Sequence, residues 1–132
     1  RTLAYQYQGR YTNLVLSLLY PNLEWKNTTL HQDHIWPKSE FDRRLLKKRG
    51  YGDVRIEFYI ANFNSLVNLE FLSQNENVSK NATMFDSWLG TRDTAFCSRH
   101  TIPTNKAYTF DDFEEFIGER AILIAKALKH LA

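Results

Sequence analysis

His31-Gln32-Asp33-His34-Ile35-Trp36-Pro37 is the stretch on which the reading of this chain turns. Thr28-Thr29-Leu30-His31 is short and β-prone, so a strand is expected to lead into Asp33-His34, with Pro37 ending it. Neighbouring side chains on a strand point to opposite faces, so an acid followed directly by a histidine meets two different surroundings. The Asp33 carboxylate suits a hard cation such as Mg²⁺, which prefers oxygen ligands. The His34 imidazole, held off the cation and neutral near pH 7, is free to take a proton from water. An Asp-His pair standing alone is equally a core or surface pair, and the decision needs the sequence further along.

Downstream lies Asn64-Ser65-Leu66-Val67-Asn68-Leu69-Glu70-Phe71-Leu72, then Asn75-Glu76-Asn77-Val78-Ser79-Lys80. Leu66 to Leu72 is short and apolar and fits a second strand, and Asn75 to Trp88 reads as a helix stopped by Gly90. Taken together the two halves resemble the HNH endonucleases, in which an Asp-His-Ile-x-Pro strand precedes an Asn-Leu strand and a helix with an Asn or His ligand and a nearby Lys. The chain is similar in particular to the C-terminal HNH domain of GmrSD-type restriction enzymes and of related proteins with a ParB-like N-terminal domain. The likeness reaches upstream to Leu18-Leu19-Tyr20-Pro21 and downstream to Trp88 and the last helix.

The resemblance implies an α+β fold with a ββα-metal core, two short antiparallel strands and a helix, embedded in a mostly helical domain. It implies that Asp33 and Asn77 hold Mg²⁺ or Mn²⁺, that His34 is the general base in a partly exposed cleft, and that Asn68 holds the loop around that base. Lys80, one turn beyond Asn77, would meet a phosphate. The implied reaction is hydrolysis of a DNA phosphodiester in restriction or anti-phage defence, with a ParB-like domain upstream in the same protein. The long insert between His34 and Asn68 departs from many HNH proteins, although GmrSD-type domains tolerate one.

Other readings of these residues stay open. Asn68 and Asn77 also suit turns or caps. His31 either assists a metal or packs against the strand. Trp36 and Trp88 are core residues or stacking groups. Lys38 and the basic run Arg43, Arg44, Lys47, Lys48 and Arg49 make either a solvated face or a set of phosphate contacts. A decayed HNH-like module that binds DNA without cutting it is the alternative to an enzyme.

The bulk properties fit one domain spanning 1–132. Of its 132 residues 43% are hydrophobic and 14% aromatic, enough for a core, and the net charge of +2 excludes a chain that coats nucleic acid by charge alone. Cys97 is the single cysteine, so neither an internal disulfide nor a Cys-based structural zinc site is available, and a reducing cytoplasm is the simplest compartment. Against that stand three glycosylation sequons, Asn27-Thr28-Thr29, Asn77-Val78-Ser79 and Asn81-Ala82-Thr83, which motivate a secreted reading. No apolar run approaches the ~20 residues of a membrane span. No Walker or Gly-rich phosphate loop is present, so any nucleotide dependence would lie elsewhere. The chain opens on Arg1 and reads as the C-terminal piece of a longer protein.

The remaining helices are expected at Leu3–Tyr20, stopped by Pro21 and Asn22, at Glu40–Lys48 with Ser39 as cap, and at Asp53–Phe63. The last is expected after a Thr109 cap, with Phe113, Phe116, Ile117, Ile124, Leu128 and Leu131 as its buried stripe.

Overall fold

The structure is a computed structural model that describes residues 5–21, 30–80, 85–104 and 106–130. Along the described chain run α1 (Thr12–Ser17), β1 (Leu30–His34), α2 (Arg43–Lys48), α3 (Asp53–Asn62), β2 (Leu69–Ser73), α4 (Gln74–Lys80), α5 (Phe85–Leu89), α6 (Thr94–Arg99) and α7 (Phe113–Lys129). The class is α+β: one antiparallel pair of strands inside a helical frame. No helix among the described residues is long and apolar enough to cross a membrane.

β1 and β2 pair in a register that sets His31 opposite Leu72, Asp33 opposite Glu70 and His34 opposite Leu69. Asp33 and Glu70 therefore share one face of the sheet and His34 takes the other. β2 begins three residues later than the sequence suggests, because Leu66–Asn68 form a 3-10 turn. Their carbonyls have another partner: the Arg120 guanidinium on α7 donates to Leu66 O at 3.2 Å and to Val67 O at 2.7 Å. β2 runs without a linker into α4. Ser73 and Glu76 form a capping box, in which Glu76 Oε1 accepts from the Ser73 N–H at 3.1 Å and Ser73 Oγ accepts from the Glu76 N–H at 3.3 Å. The helix expected over Asn75–Trp88 is described as α4 and α5, with 81–84 outside the described residues.

The first segment differs from the expected long helix. Its amino end is extended and joins the Asn64–Leu66 segment, with the Tyr7 N–H donating to Asn64 O at 2.6 Å and the Leu66 N–H to Tyr5 O at 2.7 Å. The chain then turns at Gln8, whose φ is 60°. Gly9 is required there, since a Cβ would lie 2.8 Å from Thr12 Oγ1 and 2.9 Å from the Gln6 carbonyl. Only Thr12–Ser17 is left for α1.

α2 is capped by Asp42, which accepts the Leu45 N–H at 3.0 Å, and not by Ser39, which lies in a 3-10 turn at Lys38–Glu40. The core forms where α7 lays its apolar stripe over the loop after β1. Phe113, Phe116, Ile117 and Ile124 are buried, Leu128 is half-buried and Leu131 lies outside the described residues. Phe113 meets Phe41 at 4.7 Å and Tyr59 at 5.0 Å between ring centres, and Phe116 meets Trp36 at 5.3 Å. Each such side chain contributes roughly 1.5–3 kcal/mol by burial. Trp36 and Trp88 are both buried, which makes them core residues. Thr109 and Asp112 cap the entry to α7 with a reciprocal capping box.

Candidate metal and catalytic site

The end of β1, the turn after it and one face of α4 enclose a cavity of about 270 Å³, lined by Asp33, His34, Pro37, Lys38, Ser39, Asn77 and Lys80. Asp33 and Asn77 are 44 steps apart in sequence (77 − 33) and meet here because β2 returns antiparallel to β1 and feeds α4 back alongside it. Asn77 and Lys80 stand three residues apart on one helical face, so both reach the same cavity.

Asn68 lies behind the cavity and is fully buried. Its Oδ1 accepts the Trp36 N–H at 2.9 Å, while its Nδ2 donates to Trp36 O at 3.1 Å and to Phe63 O at 2.8 Å. Its backbone carbonyl accepts the Ile35 N–H at 2.8 Å. One amide thus ties the loop that follows His34 to the end of α3.

His34 is 8% exposed, more enclosed than the partly open position the sequence suggested. Its ring lies 4.4 Å from Tyr7 and 6.1 Å from Phe63. Its Nε2 is 2.7 Å from Asn64 Oδ1. An amide oxygen only accepts, so Nε2 carries the hydrogen and the lone pair falls on Nδ1. Burial is the main influence that lowers the His34 pKa; the Asn64 bond and the Asp33 charge oppose it, and the charges of Lys38 and Lys80 add to it.

Lys80 departs from its expected role. Its side chain is 1% exposed, and its ammonium donates to His34 O at 2.6 Å and pairs with Asp33 Oδ2 at 2.7 Å. The cation that the sequence offered to a phosphate is turned inward and holds the β1 terminus. The contact between Lys80 and Asp33 is an ion pair. On the far side of Asp33 sits Glu70, fully buried. Burial first, and then the Asp33 charge, push the Glu70 carboxyl well above the usual range. No hydrogen-bond donor reaches either Glu70 oxygen among the described residues.

Of the sequence candidates, Asp33, His34, Lys38, Asn77 and Lys80 share the cavity, and Asn68 braces it from behind. Arg43, Arg44, Lys47 and Lys48 are exposed on α2 and outside the cavity lining, and Arg43 is ion-paired with Glu57. His31 is on Asp33's face of the strand but not in the lining. Asn64 and Glu70 escaped the sequence reading; the strand register would have pointed to Glu70, as the residue opposite Asp33. Of the three sequons, Asn77-Val78-Ser79 lies in α4, while Asn27-Thr28-Thr29 and Asn81-Ala82-Thr83 lie outside the described residues.

The residue types fit a hard divalent cation: a carboxylate and a side-chain amide line one cavity, with room for the several waters that Mg²⁺ keeps. No cluster of three or more His, Cys, Asp or Glu side chains arranged to hold a metal occurs among the described residues. The chain matches no family model, and no curated protein matches it.

Proposed function

We propose that this chain is a metal-dependent DNA endonuclease domain of the HNH type, built on a ββα-metal core and acting in the cytoplasm in restriction or anti-phage defence. The observation that carries the reading is the meeting of Asp33, His34 and Asn77 at one cavity, with Asn68 fastening the loop between the strands. Asp33 and Asn77 would hold Mg²⁺ or Mn²⁺ there, which when bound supplies charge stabilisation at the scissile phosphate and its departing 3′ oxygen. The chain's own contribution is positional. His34 takes the proton of the attacking water at Nδ1, the nitrogen left free by the bond from Nε2 to Asn64. Its lowered pKa keeps that nitrogen unprotonated at neutral pH. Lys38, exposed at the cavity rim, meets a phosphate of the incoming strand, and the α2 cations Arg43, Arg44, Lys47 and Lys48 extend the contact along the duplex.

The test is plasmid cleavage in Mg²⁺ or Mn²⁺, run on the chain and on the full-length protein with the ParB-like domain that the resemblance implies. His34→Ala should lower the rate by ~10²–10⁴. Cleavage by His34→Ala at the wild-type rate would remove His34 as base. One observation favours a second reading, a binding module that does not cut: the Lys80 ammonium already neutralises Asp33. A wild-type protein that binds DNA and never cuts it, modified or plain, selects that reading.

A further inference from the structure

Lys80 is an unusual lysine. Its four methylenes and its ammonium are all enclosed, and among the described residues its charge contacts Asp33 Oδ2 and His34 O. Lysine is rarely buried without a partner, and here the partner is the Asp33 carboxylate, the proposed metal ligand. Oδ2 is itself buried, so a metal ion in the cavity would approach the other oxygen of the same carboxylate. An oxygen ligand sits ~2.0–2.1 Å from Mg²⁺, and the ammonium is 2.7 Å from Asp33 Oδ2. Two cations on one carboxylate repel strongly in a site sheltered from water.

We propose that Lys80 is a built-in counter-cation that competes with a divalent metal ion for Asp33, so that the metal enters only as the ammonium withdraws. The proposal rests on the reading of Asp33 and Asn77 as the metal's oxygen donors. Lys80 thereby sets the metal affinity of the site, and it stabilises Asp33 whenever no metal is bound. Its anchor on His34 O places that exchange one residue from the candidate base.

The test uses Lys80→Met, close in length and uncharged, with Mn²⁺ as probe. Isothermal titration should show Mn²⁺ bound at least about fivefold more tightly than by the wild type, the lower end of ordinary coupling between sites. Thermal unfolding in EDTA should show the variant less stable than the wild type, because Asp33 has lost its counter-charge. Saturating Mn²⁺ should then raise its melting temperature by more than it raises the wild type's. Unchanged or weaker Mn²⁺ binding by folded Lys80→Met overturns the proposal: the metal and Lys80 would then share the Asp33 carboxylate without competing. If Lys80→Met is unfolded in EDTA, the proposal requires that Mn²⁺ restore its fold, and failure to do so also overturns it. Asp33→Asn should abolish the Mn²⁺ effect in either background. The nuclease reading fails separately: a protein that shows this competition and never cuts DNA keeps the Lys80 assignment and loses the enzyme.

Discussion

Replacing Asn68 by Ala strips three hydrogen bonds from one buried amide, those to Trp36 N, Trp36 O and Phe63 O. Each is worth roughly 0.5–1.5 kcal/mol net, and a buried N–H left without a partner costs about 1–3 kcal/mol. With Asn68 fully buried, water cannot readily take over the Trp36 N–H, so the expected loss is about 3 kcal/mol. That is a large share of the ~5–15 kcal/mol by which such domains are stable, yet it leaves the chain folded. Urea denaturation measures it as a shift in midpoint at constant slope. Asn64→Ala is the control: it removes one half-buried contact, to His34 Nε2, and should cost about 1 kcal/mol. In the cleavage assay Asn68→Ala should lose less activity than His34→Ala, because the base is displaced and not deleted. A stability loss under about 1 kcal/mol for Asn68→Ala would refute the argument that this amide holds the loop.

Burial first, with Arg99 and Arg120 adding to it, holds His100 down at about 3. Above its unfolded value of ~6.5 it is neutral in both states; between there and about 3 the unfolded chain binds a proton the fold refuses, so stability falls as pH falls, by up to ~1.4 kcal/mol per unit. Glu70, raised in the fold, acts in the opposite sense above ~4.5, so the comparison must be with a variant. His100→Asn retains an acceptor for the Tyr20 hydroxyl and should gain on the wild type as pH drops below 6.5, whereas a pH-independent gap would contradict this. Neutralising Arg44, Lys47 and Lys48 should weaken DNA binding and flatten its salt dependence by roughly 0.9 per lost phosphate contact, with Arg43 adding less because Glu57 already engages it; an unchanged slope returns α2 to a solvated face. Arg120→Lys keeps the charge but replaces a fork that reaches four carbonyls, those of Leu66, Val67, His100 and Thr101, and should cost at least about 2 kcal/mol in urea denaturation.

The parts legible in sequence were those set by local chemistry. Asp33 and His34 fall on a strand as expected, α3 agrees to within a residue at its end, and the stripe of α7 is buried where it is described. The parts not legible depended on partners distant in the chain. Tyr5 and Tyr7 belong to an extended segment because the backbone at Asn64 and Leu66 bonds to it, a pairing between parts of the chain far apart in sequence. Arg120 stands between Ile117 and Ile124 on the buried face of α7, where arginine is rarely found, and its partners are carbonyls far away in the chain. The inward turn of Lys80 follows from Asp33 and Glu70 facing each other across the sheet, a fact of register that no local pattern contains. The cap of α4 was readable, since Ser73-Gln74-Asn75-Glu76 has the spacing of a capping box.

The central claim is that Asp33 and Asn77 together hold a divalent metal ion beside His34. Anomalous scattering from Mn²⁺ soaked into crystals of the chain tests it most directly. The account predicts one peak between the Asp33 carboxylate and the Asn77 amide, in the cavity they share with His34, with the Lys80 ammonium moved off Asp33. No peak there at a Mn²⁺ concentration that saturates binding in solution, or a peak held by other residues, would contradict it.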